Sequence, residues 1–423
     1  MAEIRPFRAV RFAPSLDLAR VVTQPYDKIP PDLRRAYKAR DPHNLVNLIL
    51  PDEAEAHAAG LDKYAYAADQ FQRWLRNGVL ACDDQPSLYP YRQSFEMFGE
   101  QHVRGGFIGL LHVEPYSQRI VFPHEKTLAK PKADRLSLLR AGRVHYGLIF
   151  LLYEDDGHVQ ALLDNAMQMT PVAEVKDDFA VRNELWRLSD AARLAAVQQA
   201  MADKAVFIAD GHHRYETSLA YAGEHPQDAA AQFTMAMFVN IRGPLVILPT
   251  HRSIHGLADY SPAQLRAVLQ QQFDVCARPD LAATLAATRA ASGSVCIGVC
   301  DAGGFATATL RDAAVMRQAA PERGAAWRGL DVAVLHTLII ERALGISAAH
   351  VEQESGVQYH RDPAEAVARV HAGDAQCAFF LRPTAAQQVC DVARHGDVMP
   401  QKSTDFYPKL LSGLTLYALD EQH

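Results

Sequence analysis

The chain has 423 residues, a formal net charge of −6, 49% hydrophobic residues and 22% charged residues. The length allows two or three domains or one large intertwined fold, and the composition is that of an ordinary globular protein. The acidic balance argues against a nucleic-acid partner, which requires a basic face. Residues 1–7 lack the pattern of a signal peptide, and no apolar run is long enough to span a membrane. We therefore expect a cytoplasmic protein that does not associate with membranes.

The first domain is predicted over residues 1–255. Its opening third is punctuated by turn residues such as Pro25-Tyr26-Asp27, and a hairpin turn is predicted at Phe98-Gly99-Glu100. The other predicted elements are, in chain order, a helix over 59–76, strands over 87–98 and 106–113, a basic helix over 132–143, a strand over 146–153, helices over 159–167 and 190–202, a strand over 205–209, a helix over 215–222, and strands over 233–240 and 245–248.

From about residue 261, Ala-rich helices alternate with short strands, which predicts a second α/β subdomain over residues 256–396. Residues 397–423 are rich in motifs, as the N-terminal part is, and we expect this segment to return to the first domain. The predicted fold class is mixed α/β, of the α+β type.

The motif Asp210-Gly211-His212-His213-Arg214 lies between a predicted strand and a predicted helix. Gly211 allows a positive φ and a close backbone approach. The free N–H groups at the start of a helix favour phosphate oxygens, as do His213 and Arg214. Asp210 is suited to bind Mg²⁺ or to orient a histidine or a hydroxyl.

Paired histidines in a loop can also cap a helix or bond a carbonyl, which would be a structural role. The clustering of four polar or charged side chains at one turn favours a functional site instead. Composition alone does not separate phosphate binding from metal binding, because histidines serve both.

Further candidates lie outside this motif. Lys126 and Arg135 belong to a basic run that is either a solvated helix face or a source of phosphate contacts. Lys402, Ser403 and Thr404 combine a cation with two hydroxyls, which suits phosphate but also a capped turn. The substrate candidates, which could equally anchor the N-terminal turn, are Tyr26 and Asp27.

The motif over residues 210–215 resembles the signature loop of the ParB/sulfiredoxin superfamily. The wider pattern resembles domain-of-unknown-function family 1015 over nearly the whole chain. The motifs that carry this resemblance are Pro25-Tyr26-Asp27, Pro123-His124-Glu125-Lys126-Thr127, residues 209–216, Met399-Pro400-Gln401-Lys402-Ser403-Thr404 and Phe406-Tyr407-Pro408-Lys409. The resemblance implies a ParB/sulfiredoxin-like core in the first domain.

In that superfamily the loop binds nucleotide phosphates, and some members are free-serine kinases. The resemblance thus implies a phosphate site at Gly211, His212, His213 and Arg214, with Asp210 as a catalytic or metal-linked carboxylate. It also makes Glu125 a candidate for activating the acceptor hydroxyl. Sulfinate reduction is disfavoured, because His212 stands where sulfiredoxin has its cysteine.

The leading hypothesis is a small-molecule phosphotransferase that acts on a hydroxyl, with free serine or phosphoserine as the first candidate. Catalysis would use Asp210, Glu125 and His213, with Mg²⁺ and a nucleotide or pyrophosphate as donor. Two alternatives remain: a nucleotide-binding regulator, and a metal-dependent hydrolase with His212, His213 and Asp210 as ligands. The sequence leaves the donor, the acceptor, the direction of transfer and the oligomeric state open, a homo-oligomer included.

Overall fold

The structure is a computed structural model that describes residues 2–125, 129–352 and 355–422. The α-helices are α1 (Leu18–Val21), α2 (Pro31–Arg40), α3 (Val46–Ile49), α4 (Glu53–Ala58), α5 (Lys63–Arg76), α6 (Ala129–Gly142), α7 (His158–Met167), α8 (Ala191–Met201), α9 (His212–Glu224), α10 (Pro262–Leu269), α11 (Leu281–Ala290), α12 (Ala314–Ala319), α13 (Ala325–Arg328), α14 (Asp331–Val334), α15 (Ala348–Glu352), α16 (Pro363–His371) and α17 (Ala386–Arg394). A π-helix over Leu335–Ala343 follows α14.

The strands are β1 (Ile4–Arg5), β2 (Val10–Phe12), β3 (Leu80–Cys82), β4 (Tyr89–Met97), β5 (Glu100–His112), β6 (Val121–Phe122), β7 (Val144–His145), β8 (Ile149–Tyr153), β9 (Ala173–Lys176), β10 (Arg182–Leu185), β11 (Val206–Asp210), β12 (Phe233–Asn240), β13 (Val246–Leu248), β14 (His251–Ile254), β15 (Phe273–Arg278), β16 (Cys296–Asp301), β17 (Gly304–Leu310), β18 (Val357–His360), β19 (Cys377–Phe380), β20 (Asp405–Tyr407) and β21 (Tyr417–Ala418). Together with the helices they confirm the predicted mixed α/β class, whereas the ParB/sulfiredoxin-like core stays a prediction.

The first compact unit holds the described parts of residues 1–123, 127–245 and 408–423. Its main sheet has the order β6-β11-β8-β12-β5-β4-β10-β9, with β1 paired to β5. The sheet is mixed, because β11 runs antiparallel to β8 while β12 runs parallel to it. Buried side chains from these strands, such as Leu151, Ile208 and Phe238, form its core. The burial of such apolar side chains fixes the strand on which Asp210 lies.

The second compact unit holds the described parts of residues 124–126 and 246–407. Its six-stranded sheet has the order β15-β17-β16-β19-β14-β18 and is antiparallel at every pairing. A separate two-stranded sheet joins β13 to β20. None of the helices in the described ranges of the chain combines the length and the apolar character that a membrane span requires.

Most predicted elements are confirmed, with shifted ends. The hairpin turn at Phe98-Gly99 is present, and both residues have positive φ, as a tight two-residue turn requires. The helix predicted over 59–76 begins later, at Lys63, because the Asp62 side chain caps it by accepting hydrogen bonds from two backbone N–H groups. The helix predicted from Tyr215 begins earlier, at His212, since Gly211 takes the left-handed conformation just before it.

Candidate functional site

The central motif forms a strand, a glycine turn and a helix. β11 ends at Asp210, Gly211 has φ +94°, and α9 begins at His212. His212, His213 and Arg214 therefore lie in the first helical turn, where backbone N–H groups lack helical partners. Among them, His212 is buried, with 6% of its surface exposed. The turn has the geometry that the sequence predicts for an anion site.

Arg214 is held in place by neighbouring groups. Its Nη2 donates to Asp210 Oδ2 at 3.1 Å, and its Nη1 donates to the backbone carbonyl of Leu148. The guanidinium lies close to Gly211, where an added Cβ would be 3.1 Å from its Cζ and Nε. An arginine carries five N–H donors, so this arrangement leaves donors for a ligand as well.

Positive charge is concentrated around Asp210. Burial opposes ionisation of this carboxyl, but the charges of Lys409, Arg214 and Lys28 outweigh burial and hold its pKa well below the usual range. The carboxylate is therefore ionised at neutral pH. Burial also lowers the pKa of the Arg104 guanidinium to about 10, opposed by Tyr91 and by Asp210. Several cations thus share one carboxylate.

Arg104 and Gln93 position Lys409. Arg104 is 1% exposed, its guanidinium donates to the Pro408 carbonyl at 2.6 Å and to the Gln93 side chain, and it stacks over the Phe150 ring at 4.6 Å. Gln93 Nε2 donates to the Lys409 carbonyl at 3.1 Å. These bonds from β4 and β5 fix the backbone of the C-terminal segment where Lys409 lies. Arg104, Lys28 and Lys409 are not among the site residues that the sequence predicts.

Tyr26 and Arg135 contact each other. The Arg135 guanidinium lies 4.3 Å from the centre of the Tyr26 ring and donates to the Ile49 carbonyl at 2.7 Å. Burial raises the pKa of Tyr26, and the charge of Arg214 opposes that rise. Tyr26 and Arg135 therefore belong to the surroundings of Arg214. Asp27 is partly exposed and lies 3.7 Å from the Lys28 ammonium.

A small cleft with a volume of about 60 Å³ lies beside Arg214. Its walls include Tyr26, Arg135, Arg214 and Tyr146. The Tyr146 side chain is buried, and its hydroxyl has no hydrogen-bond partner within the described ranges. Because an unpaired buried hydroxyl is costly, it marks a place where a ligand could bond.

His145 also lines the cleft and was not predicted as a site residue. It lies on β7, which pairs with β21, and its ring stacks on the Tyr417 ring at 5.6 Å. The strand predicted over 146–153 does not include His145, and the main-sheet strand β8 begins only at Ile149. Pairing with residues far along the chain gives no local sequence signal.

We expect the free energy of unfolding to decrease as the pH is lowered below about 6.5. Between about pH 7 and about pH 5, His145→Gln should make this decrease smaller by about 1–2 kcal/mol. Burial lowers the pKa of His145 to about 4, so the folded protein keeps it neutral while the unfolded chain takes a proton near pH 6.5. Urea unfolding at both pH values measures the difference. The exposed His158→Gln is the control. Equal losses in the wild type and in His145→Gln would contradict the lowered pKa.

The remaining candidate site residues lie in the second unit, where they form local hydrogen bonds. Glu125 Oε1 accepts from the Lys402 backbone N–H at 3.1 Å, and His124 Nε2 lies 2.9 Å from Thr404 Oγ1. The Ser403 hydroxyl donates to the Pro400 carbonyl. The hydroxyls of this motif therefore serve the local fold. Lys126 lies outside the described residues.

The structure does not bring one predicted set of metal ligands together. No group of three or more His, Cys, Asp and Glu side chains within the described ranges is arranged to hold a metal ion, and Asp210, His212 and His213 do not form one. His212 and His213 are consecutive in α9, and consecutive helical residues point about 100° apart. This arrangement does not support a metal-dependent hydrolase with these three residues as its ligands.

The fold and the site define a mixed α/β protein with a cation-rich strand–glycine–helix turn. The family model described as "Protein of unknown function (DUF1015)" matches residues 4–333, and the chain belongs to this family. No curated protein matches the chain.

Solved structures show distant similarity. A conserved hypothetical protein from Pyrococcus furiosus is 12% identical, with 72% of this chain and 94% of that chain covered and a TM-score of 0.35. A free serine kinase mutant in complex with AMP is 11% identical, with 72% and 91% covered and a TM-score of 0.37. SbnI with a C-terminal truncation, from Staphylococcus aureus, is 10% identical, with 75% and 90% covered and a TM-score of 0.36.

Proposed function

We propose that the protein is a phosphotransferase that moves a phosphoryl group between a donor and a small hydroxyl substrate at the turn around Asp210. The observation that carries this proposal is the excess of positive charge there: Lys409, Arg214 and Lys28 all act on one carboxylate. Such an excess is stabilised by an anion that carries several charges, as the phosphates of a nucleotide or pyrophosphate do.

The cleft beside the turn offers a place for the acceptor or for part of the donor. Arg214 lines it at one end, and the stacked pair of Tyr26 and Arg135 offers an aromatic face and a guanidinium plane. The unpaired Tyr146 hydroxyl is one of several polar groups in the lining, beside those of His145, Thr217 and Ser218. Aromatic faces with a few placed polar groups are typical of sites for nucleotides and other small molecules.

Asp210 would orient the acceptor hydroxyl. Its pKa lies well below the usual range, so the carboxylate stays ionised and accepts a hydrogen bond from the hydroxyl as it attacks. Phosphoryl transfer depends mostly on positioning and on charge stabilisation, which suits an acceptor group beside fixed cations. The predicted catalytic roles of Glu125 and His213 remain predictions, and Glu125→Gln and His213→Gln test them separately.

Mg²⁺ fits Asp210 as a single protein ligand. Magnesium in such sites is bound by one or two carboxylates, with water and substrate phosphates as its other ligands. The ionised carboxylate of Asp210 meets that need. When bound, the metal would neutralise charge on the donor phosphates.

The test is ³¹P NMR of the protein with Mg²⁺, L-serine and, in turn, ATP, ADP, CTP or pyrophosphate, and also with phosphoserine in the reverse direction. Free serine is the first acceptor because of the loop resemblance described above. Formation of phosphoserine identifies both the activity and the donor. Tight binding or slow hydrolysis of one nucleotide without transfer would replace this proposal by the nucleotide-binding regulator.

Gly211→Ala is expected to weaken binding of the active donor by about tenfold, through displacement of one charge-assisted contact. Gly157→Ala is a matched control, because Gly157 also precedes a helix and has φ +96°. Both variants carry similar backbone strain. An added Cβ meets the Arg214 guanidinium at Gly211 and meets nothing within 4 Å at Gly157. Equal calorimetric affinities for the two variants would show that the position of the guanidinium does not matter.

A further inference from the structure

The second unit contains a cleft of its own, with a volume of about 640 Å³. Among the described residues that line it, the charged ones are four arginines and one carboxylate: Arg252, Arg311, Arg328, Arg382 and Asp331. All these residues belong to the second unit, whereas Asp210 belongs to the first.

Arg252 lies on β14 and is 1% exposed. Its guanidinium donates to the backbone carbonyls of Thr250, Gln401 and Lys402 and stacks over the Tyr359 ring at 5.3 Å. In the part of the chain that the structure describes, its Nε has no partner. None of these groups is a carboxylate. A buried cation without a counter-charge is costly, and a bound anion would remove that cost.

The neighbouring histidines do not change this charge balance. Burial lowers the pKa of His251 to about 4 and that of His336 to about 3, and the charge of Arg252 adds to both effects. Both rings are therefore neutral at physiological pH. The charge of Arg252 remains uncompensated by them.

The one acidic lining residue is already engaged. Asp331 forms a two-pronged ion pair with Arg382, with both N–O distances at 2.7 Å. Arg328 donates to the backbone carbonyls of Arg323 and Ala320, which carry no net charge. The guanidinium of Arg311 lies 3.5 Å from Asp274, which is largely exposed. Arg252 and Arg328 thus keep their positive charge for a ligand.

We propose that this cleft binds a small polyanion that carries phosphate or carboxylate groups, held by the lining residues Arg252 and Arg328. Guanidinium groups match the planar, two-oxygen edges of both anion types. The hydroxyl of Thr250, which also lines the cleft, is a further contact for such a ligand.

Isothermal titration calorimetry with pyrophosphate and with malonate, at constant ionic strength, tests this proposal. We expect saturable binding of at least one of these two anions. The anion that binds more tightly shows whether the cleft prefers phosphate or carboxylate groups. Arg328→Gln and Arg252→Met should each weaken that binding by about tenfold or more, through loss of a charge-assisted contact. The exposed Arg289→Gln, with the same change of charge in the same unit, should not.

A parallel titration of Arg214→Gln separates the two units. Binding that survives Arg214→Gln and weakens in Arg328→Gln belongs to the second unit, whatever the outcome for phosphoryl transfer. If Arg252→Met fails to fold, Arg328→Gln decides, because Arg328 donates only to two nearby carbonyls. Absence of saturable binding, or affinities unchanged in Arg328→Gln, would overturn the proposal.

Discussion

Asp210→Asn is expected to lower the rate of phosphoryl transfer by ~10²–10³-fold, the range typical for loss of one preorganised polar group at the reacting atoms. Asparagine has the shape of aspartate but carries no negative charge beside Lys409, Arg214 and Lys28. The acceptor hydroxyl loses its charged partner, and the cations lose the carboxylate that orders them. Initial rates by ³¹P NMR measure the effect.

Asp156→Asn serves as the control for Asp210→Asn. The Asp156 side chain is 86% exposed and lies in the same unit, so the variant makes the same change of charge at the surface. It should keep the wild-type rate. Thermal unfolding of both variants shows whether the fold is intact. A folded Asp210→Asn protein with the wild-type rate would remove Asp210 from the mechanism.

Gly106→Ala is expected to destabilise the first unit by about 1–3 kcal/mol, the usual cost of overpacking a tight interior. Gly106 lies in β5, where an added Cβ would overlap the backbone carbonyl of Phe238 and lie 3.1 Å from Val239 Cγ2. That carbonyl belongs to β12, at the centre of the main sheet, and cannot move aside as a flexible side chain could.

The neighbouring residue provides the control for Gly106→Ala. An added Cβ at Gly105 would meet only the Gln160 side chain, at an ordinary 3.6 Å. Gly105→Ala should therefore unfold in urea close to the wild-type midpoint, and Gly106→Ala at a lower one. Similar midpoints for the two variants would mean that the strand spacing at Gly106 is looser than the structure has it.

Local chemistry explains what the sequence could predict. The helix after Gly211, the hairpin at Phe98-Gly99 and the apolar strand before Asp210 depend on residues a few positions apart, and all three are confirmed. Element ends were less predictable, because side-chain caps such as Asp62 decide them.

The surroundings of Asp210 could not be predicted in the same way. Lys28, Arg104 and Lys409 come from distant parts of the chain, and only the tertiary fold brings their charges to one carboxyl. The buried Arg104 carries no periodic signal that distinguishes it from a surface arginine. The motif that holds Lys409 is visible in the sequence, but the residues that bond to its backbone, Arg104 and Gln93, are not.

The order of the segments has a consequence for biosynthesis. The first unit needs residues 408–423, which supply Lys409 and strand β21, but the whole of 246–407 precedes them along the chain. A ribosome therefore releases the second unit's sequence before the first unit has all its parts. The charge cluster at Asp210 can assemble only late in translation, after a long loop has closed.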